Sequence, residues 1–207
     1  MPKRSKSSAR WLQEHESDPY VKAAREAGYR SRAIYKLEEI QRSDHILKPG
    51  TTVVDLGAAP GGWSQYVGRL FKGRGRVIAT DILPMGHLPG VEFLQGDFSD
   101  DAVFQALLDL LGTDKPQLVM SDMAPNMMGI AEVDHARSMH LVDLAVDFAE
   151  KTLPKGGDFL VKVFQGREFL PLMQRLRTLF ESVKVRKPKA SRSRSVELYL
   201  LARNFRM

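Results

Sequence analysis

The chain contains no cysteine, which excludes disulfides, thiolate metal sites and any mechanism built on a catalytic thiol. No apolar run approaches the ~18 residues of a membrane span. The opening MPKRSKSSAR holds no apolar stretch of the kind a secretory signal carries. Histidine is sparse, at five residues, and His135 and His140 do not stand at metal-ligand spacing on a helix, so no metal site is expected. No internal repeat and no linker divides the sequence. These absences predict one cytoplasmic domain spanning 1–207, a length that one hydrophobic core can support, and a monomer is the expected state.

What is present is uneven. The net charge is +6, yet residues 1–36 carry nine Lys/Arg against four Asp/Glu and residues 184–207 carry eight against one. The stretch between them has 14 basic and 20 acidic residues, so two positive ends flank a negative middle. Clustered Lys and Arg gain affinity for a polyanion by releasing phosphate counterions, so both ends are expected to meet a polyanion. Solubility is the plainer reading of the first ten residues, which are expected to be flexible, and residues 1–42 read as a basic helical extension.

Short apolar runs alternate with helical patterns. TTVVDLG, GRVIATD, VEFLQGD, QLVMSD and GDFLVKVF read as strands; Gly62–Phe71, Asp101–Leu111 and Ala136–Leu153 have the apolar spacing of helices. The alternation predicts an α/β fold, a mostly parallel twisted sheet with helices on both faces, with ligands held beyond the carboxyl ends of the strands. Near the end, VKVRKP and SVELYLLA are joined by KASRSR, too short for a crossover helix, so an antiparallel hairpin should close the sheet. Before the first strand, Asp18–Gly28 and Ser31–Gln41 read as two helices, the second capped by Ser31.

The stretch DLGAAPGGWSQ, residues 55–65, joins a strand to a helix with glycines at 57, 61 and 62. It meets neither the dinucleotide fingerprint G-x-G-x-x-G nor the phosphate loop G-x-x-x-x-G-K-[ST], since Trp63 and Ser64 stand where the lysine is needed. A pyrophosphate ligand is therefore disfavoured, and with it a nicotinamide-dependent oxidoreductase. Asp81 closes the second strand, where a carboxylate can take both hydroxyls of a ribose. Asp97 follows the third, where it can accept from the exocyclic amine of adenine or merely cap a helix. Loop and carboxylates together describe an adenosine without phosphates, and S-adenosylmethionine is the expected cofactor.

DLGAAPGGWSQ, with DMAPNM at 122–127 and KVFQG at 162–166, resembles the FtsJ/RrmJ family of ribose 2′-O-methyltransferases. RSRAIYKL at 30–37 and SRSRSVELY at 191–199 extend the likeness to both ends. The resemblance implies a Rossmann-like class I methyltransferase fold. It also implies a uridine ribose of large-subunit ribosomal RNA as acceptor, with the assembled large subunit as partner. Carried over motif by motif, the family's Lys-Asp-Lys-Glu tetrad falls on Lys36, Asp122, Lys162 and Glu197. Gly57, Gly61, Trp63, Asp81, Asp97 and Asp122 become the cofactor-binding set. Arg30, Arg32, Lys187, Arg192 and Arg194 are the expected RNA contacts. Met128 departs from the family pattern, which commonly has a small polar residue there.

The residues mark two of the tetrad independently. Alternation in GDFLVKVF puts Lys162 in a strand apolar on both faces, and in SVELYLLA it sets Glu197 beside Tyr199 and Leu201, opposite Val196, Leu198 and Leu200. Buried charges need partners, so an inert Lys162–Glu197 ion pair is the plain alternative, as a solvated helical lysine is for Lys36. The chemical reading has Lys162 activate the hydroxyl, Lys36 assist and hold the ribose, and the carboxylates of Asp122 and Glu197 orient the ammonium groups, with no metal. A C5-pyrimidine methyltransferase would need the missing cysteine. An exocyclic-amine enzyme would more commonly carry P-P-aromatic where this chain has Met-Ala-Pro-Asn. A catalytically idle RNA-binding assembly factor, or a methyltransferase acting on another RNA, would share the fold.

Overall fold

A computed structural model describes residues 17–126, 128–191 and 195–207. Among the described residues the main elements are the helices α1 (Pro19–Glu26) and α2 (Ile34–Asp44), followed by β1 (Thr52–Leu56), α3 (Gly62–Phe71), β2 (Arg76–Asp81) and β3 (Val91–Gln95). The chain continues through α4 (Asp101–Leu111), β4 (Leu118–Ser121), α5 (Ala131–Thr152) and β5 (Asp158–Phe164). It ends with α6 (Phe169–Leu179), β6 (Phe180–Arg186) and β7 (Glu197–Phe205). The strands form one sheet in the order β3-β2-β1-β4-β5-β7-β6. Pairing is parallel from β3 to β5, whereas β7 runs antiparallel between β5 and β6. The expected edge hairpin is present, with its second strand inserted next to β5.

Side-chain alternation divides the core into two layers. Val54, Val119, Val161 and Leu200 join α4, α5 and α6 on one face, while Val53, Leu118, Leu160 and Leu201 join α2 and α3 on the other. Central strands are thus apolar on both sides, as a covered parallel sheet requires. Lys162 and Tyr199, two residues along from Leu160 and Leu201, belong to the α2–α3 face.

Three element boundaries correct the sequence reading. Helix α2 begins at Ile34 behind Ala33, not at a Ser31 cap; Ser31 Oγ instead accepts from Ala33 N at 3.1 Å inside the preceding turn. Helix α5 starts at Ala131, five residues earlier than expected, because the buried Asp134 accepts from Met128 N at 2.7 Å and Gly129 N at 2.9 Å and so extends the first turn backwards. The backbone at Met128 is anchored in this way while its side chain stays 62 % exposed. Helix α6, unassigned from the sequence, buries Leu172, Met173, Leu176 and Leu179, a 3.6-type stripe. Among the described residues no helix is long and apolar enough to cross a membrane.

Candidate active site

The switch in strand order between β1 and β4 opens a crevice at the carboxyl ends of the parallel strands. Three loops converge there. Gly57 holds φ +78°, and a Cβ on it would come within 2.6 Å of Met123 Cγ. Gly61 holds φ +103°, and a Cβ there would lie 2.8 Å from both Leu88 Cδ1 and Met85 Sδ. The two glycines are demanded by the close approach of neighbouring loops as well as by any ligand. Beyond them α3 presents N–H groups that have no carbonyl in a preceding turn.

Asp81 Oδ2 accepts from Ala59 N at 2.8 Å and its Oδ1 from Leu83 N at 2.8 Å, so this carboxylate fastens the glycine loop to the end of β2. The side chains next to it, Ile82 and Leu83, stand 60 % and 61 % exposed, an apolar surface left in water beside the crevice. Asp97 is not the cap of α4, a role taken by Asp100; its Oδ1 accepts from Ser99 N at 2.9 Å and Ser99 Oγ at 2.7 Å. Those bonds hold the Asp97 carboxyl below its usual range. Trp63 lies in the core with only its backbone at the start of α3; its Nε1 donates to Ala33 O at 2.8 Å and its ring packs on Tyr199 at 5.8 Å.

One functional candidate escaped the sequence reading although its signal, a carboxylate inside VVDLG, was plain. Asp55 is wholly buried in β1; Ser64 Oγ donates to its Oδ2 at 2.6 Å, and its Oδ1 meets no partner among the described residues. Burial, with the nearby charges of Asp122 and Asp81, outweighs the Ser64 bond and lifts its carboxyl to about 7.

The structure brings Lys36, Asp122, Lys162 and Glu197 together. Lys36 reaches Glu197 Oε1 at 2.7 Å with side chains only 13 % exposed on each side, and Lys162 reaches Asp122 Oδ1 at 3.0 Å with its own side chain 8 % exposed. Lys162 Nζ also donates to the backbone oxygen of Asp122. The pairing anticipated as the inert alternative, Lys162 with Glu197, is not the one formed. Tyr199, directly across the ladder from Lys162, ties the two pairs into one cluster. Its hydroxyl lies 2.7 Å from Asp122 Oδ1 and 3.3 Å from Glu197 Oε1, and Ser191 Oγ donates to the same Glu197 oxygen at 3.0 Å. Burial and the two carboxylates raise the Tyr199 hydroxyl well above the tyrosine range. Burial alone would raise Asp122, but Lys162, Lys36 and Tyr199 more than offset it and hold the carboxyl ionised. A cavity of about 310 Å³ lined by Arg32, Ala33, Lys36, Ser195 and Glu197 opens onto the cluster.

The expected RNA contacts are differently disposed. Arg30 spends its guanidinium on the carbonyls of Gly86 at 2.6 Å and His87 at 2.7 Å, pinning the loop that covers Gly61. Arg32 bonds Asp18 and the Ala190 carbonyl while still lining the cavity. Lys187 donates to Ser195 O at 2.6 Å and to Glu197 O, which braces the hairpin. Arg192 and Arg194 lie outside the described residues. The cations of residues 30–32 and 187 thus shape the site as much as they charge it.

A mostly parallel sheet with an inserted antiparallel strand, and a crevice at the carboxyl ends with an ion-pair cluster beside it, are the architecture of a Rossmann-like class I methyltransferase. The chain belongs to the FtsJ-like methyltransferase family, whose model matches residues 29–205. It is 62 % identical over 203 residues to the Ribosomal RNA large subunit methyltransferase E of Dichelobacter nodosus (strain VCS1703A), covering 98 % of this chain and 97 % of that one. Against the protein of the same name from Pseudomonas aeruginosa (strain UCBPP-PA14) it is 57 % identical, with 98 % of both chains covered. A crystal structure described as a ribosomal RNA methyltransferase from Plasmodium falciparum matches with a TM-score of 0.77 at 32 % identity, over 86 % of this chain and 98 % of that one. The expected fold and family are borne out.

Proposed function

We propose that this methyltransferase transfers the methyl group of S-adenosylmethionine to a ribose 2′-hydroxyl of a uridine in large-subunit ribosomal RNA, acting on the assembled large subunit. The observation that carries the reading is the pair of nearly dry ion pairs, Lys36–Glu197 and Lys162–Asp122, joined through Tyr199 at the mouth of the crevice. The names borne by similar proteins, Ribosomal RNA large subunit methyltransferase E, support large-subunit ribosomal RNA as the substrate.

The residues present fit the cofactor. In this reading Asp81 at the end of β2 takes the ribose hydroxyls with lone pairs left beside its bonds to Ala59 N and Leu83 N, Asp97 takes the adenine amine, and the exposed Ile82 covers the ring. Asp55 offers an unpaired carboxylate oxygen beneath the loop. When bound, the cofactor supplies an electrophilic methyl carbon on a sulfonium sulfur. The chain's own task is to bring a weak nucleophile in line with it, and positioning of that kind is worth several kcal/mol, up to about 7–11. Lys162, positioned by the two oxygens of Asp122 that it contacts, acts in its amine form and takes the hydroxyl proton onto Nζ, becoming the ammonium that Asp122 then balances. Lys36, held by Glu197 as an ammonium, meets the negative charge that gathers on the attacking oxygen. Asp122 and Glu197 keep the two nitrogens aimed, and Tyr199 fixes the carboxylates in turn. Arg32 at the cavity and the basic ends hold phosphates, so binding should weaken steeply with salt.

Labelled S-adenosylmethionine and undermethylated large subunits, followed by alkaline hydrolysis, test the proposal, because a methylated ribose blocks cleavage at its own linkage. Label recovered in a base, with every linkage still cleavable, would overturn it. Lys162→Ala should lower turnover by about 100-fold or more with unchanged cofactor affinity, which an idle assembly factor could not show.

A further inference from the structure

Two hollows open near the rim where β5 pairs with β7. The cavity of Arg32 and Lys36 is one. A groove of about 600 Å³ lies beyond the carboxyl end of β5, between the start of α5 (Ala131, His135), residues Phe164 to Glu168, and Val196. That volume falls within the ~300–1,000 Å³ of small-molecule pockets. Four features bear on what it takes. Phe164 sits directly across the ladder from Glu197, as Lys162 does from Tyr199. Residues i and i+2 of a strand share a face about 7 Å apart, so Phe164 is the next same-face residue outward from Lys162. It is half-buried yet belongs to neither core cluster among the described residues. Beside it Val196 is 58 % exposed, tied in place by the bond from Gln165 N to its carbonyl at 3.1 Å. The outer wall is built to shape: His135 lies so close against Gly166 that no Cβ could be added there, and its ring is fixed by a hydrogen bond to Glu168.

We propose that this groove receives the base of the nucleotide whose ribose is methylated, with the ring stacked on Phe164. The inference rests on the ribose-methylation reading above. A base hangs from the sugar carbon adjacent to the one that bears the 2′-hydroxyl, so a hydroxyl at Lys162 leaves its base near the next residue along the face. The carboxylates of Glu132, Asp134 and Glu168 line the groove against the one guanidinium of Arg167, so phosphates are disfavoured in it and kept on the Arg32 side, while a neutral ring is not. The exposed Gln165 and Arg167 supply donors for base-edge oxygens.

The test compares wild type with Phe164→Ala, Phe164→Leu and Phe164→Trp, using S-adenosylmethionine and undermethylated large ribosomal subunits. Base–aromatic stacking predicts a loss of about 5- to 100-fold in kcat/KM for the alanine and leucine variants, carried by KM, with the tryptophan variant recovering it and cofactor Kd unchanged throughout. A KM within about twofold of wild type in the leucine variant overturns the subsite. Phe164→benzoylphenylalanine, irradiated on the subunit, should stop primer extension at the methylated nucleotide; stops only at other positions also overturn it. If wild type methylates no ribose, the functional reading itself has failed, whereas methylation with misplaced stops removes the subsite alone.

Discussion

Asp55 allows a test in which stability, not activity, is read. In the unfolded chain its carboxyl titrates near 3.9, and in the folded chain near 7 because burial and the neighbouring carboxylates oppose its charge. Between those values the native protein keeps a proton that the unfolded chain has released. Stability contributed by this group must therefore fall as pH rises through the window, and be flat below and above it. Three pH units of displacement correspond to about 4 kcal/mol, an upper figure since water entry and relaxation soften buried charge. Asp55→Asn keeps the shape and an acceptor for Ser64 Oγ, now bonded at 2.6 Å, but has nothing to ionise. Urea unfolding of both proteins at pH 4.5 to 8.5, followed by tryptophan fluorescence, should show near-equal stability at the acid end and an advantage to the asparagine protein of about 2–4 kcal/mol at the alkaline end. Asp44, whose carboxyl is held low by Arg186, slopes the other way, but it is common to both proteins and cancels in the difference. A difference that does not change with pH would refute the reasoning, because it would mean that Asp55 carries the same charge in both states.

Tyr199→Phe removes the hydroxyl that reaches Asp122 and Glu197, so turnover should fall about 10- to 100-fold and the acid limb of the pH–rate profile should move upward as Asp122 loses a donor; an unmoved limb would show that the hydroxyl is only structural. Asp44→Asn breaks the buried fork in which Arg186 meets both carboxylate oxygens, at 2.6 and 2.7 Å. Since Arg186 is itself 31 % exposed, a loss of about 2 kcal/mol in urea unfolding at pH 7 is expected, shrinking as pH falls and the native Asp44 protonates. Arg30→Ala should weaken cofactor binding about tenfold through the freed 86–87 loop while leaving the salt dependence of RNA binding intact; the reverse result would restore Arg30 to the phosphate contacts.

What the sequence made legible was whatever a local period could report. Strand alternation placed Lys162 in a dry strand and put Glu197 on the same face as Tyr199, and the structure keeps both. The same alternation held the clue to Tyr199, since a phenol beside a buried glutamate needs an acceptor. Partner choice was not legible. Lys162 pairs with Asp122 because β4 lies beside β5, and Lys36 reaches Glu197 because α2 packs on the face where β7 is inserted. These are long-range facts of sheet order, and no spacing encodes them. The partners of Arg30 were hidden for a related reason, because its acceptors are backbone carbonyls of a distant loop that carry no residue signature. The early start of α5 depended on a carboxylate reaching back to two amides from within the helix, a variant of capping that the usual residue positions do not advertise.

The break in the parallel pattern is what completes the site. In a parallel sheet the crevice at the carboxyl ends is furnished only by the last residues of each strand and the loops after them. Those ends here supply Asp81, Asp97 and Asp122, the last of which makes one ion pair. A strand that runs the other way presents its beginning at the same rim. The first residues of β7 are Glu197 and, two further on, Tyr199, both delivered beside Lys162 by the antiparallel ladder. Without the reversal Lys36 would have no carboxylate opposite it, and Asp122 would lack the hydroxyl that joins the two pairs. The clamp of Asp44 by Arg186 and Lys184, with Arg203 holding its carbonyl at 3.0 Å, fastens the end of α2 to both hairpin strands. The helix that carries Lys36 and the strand that carries Glu197 are thereby fixed to one another at the far end from the chemistry, which is the support a 2.7 Å ion pair between distant segments needs.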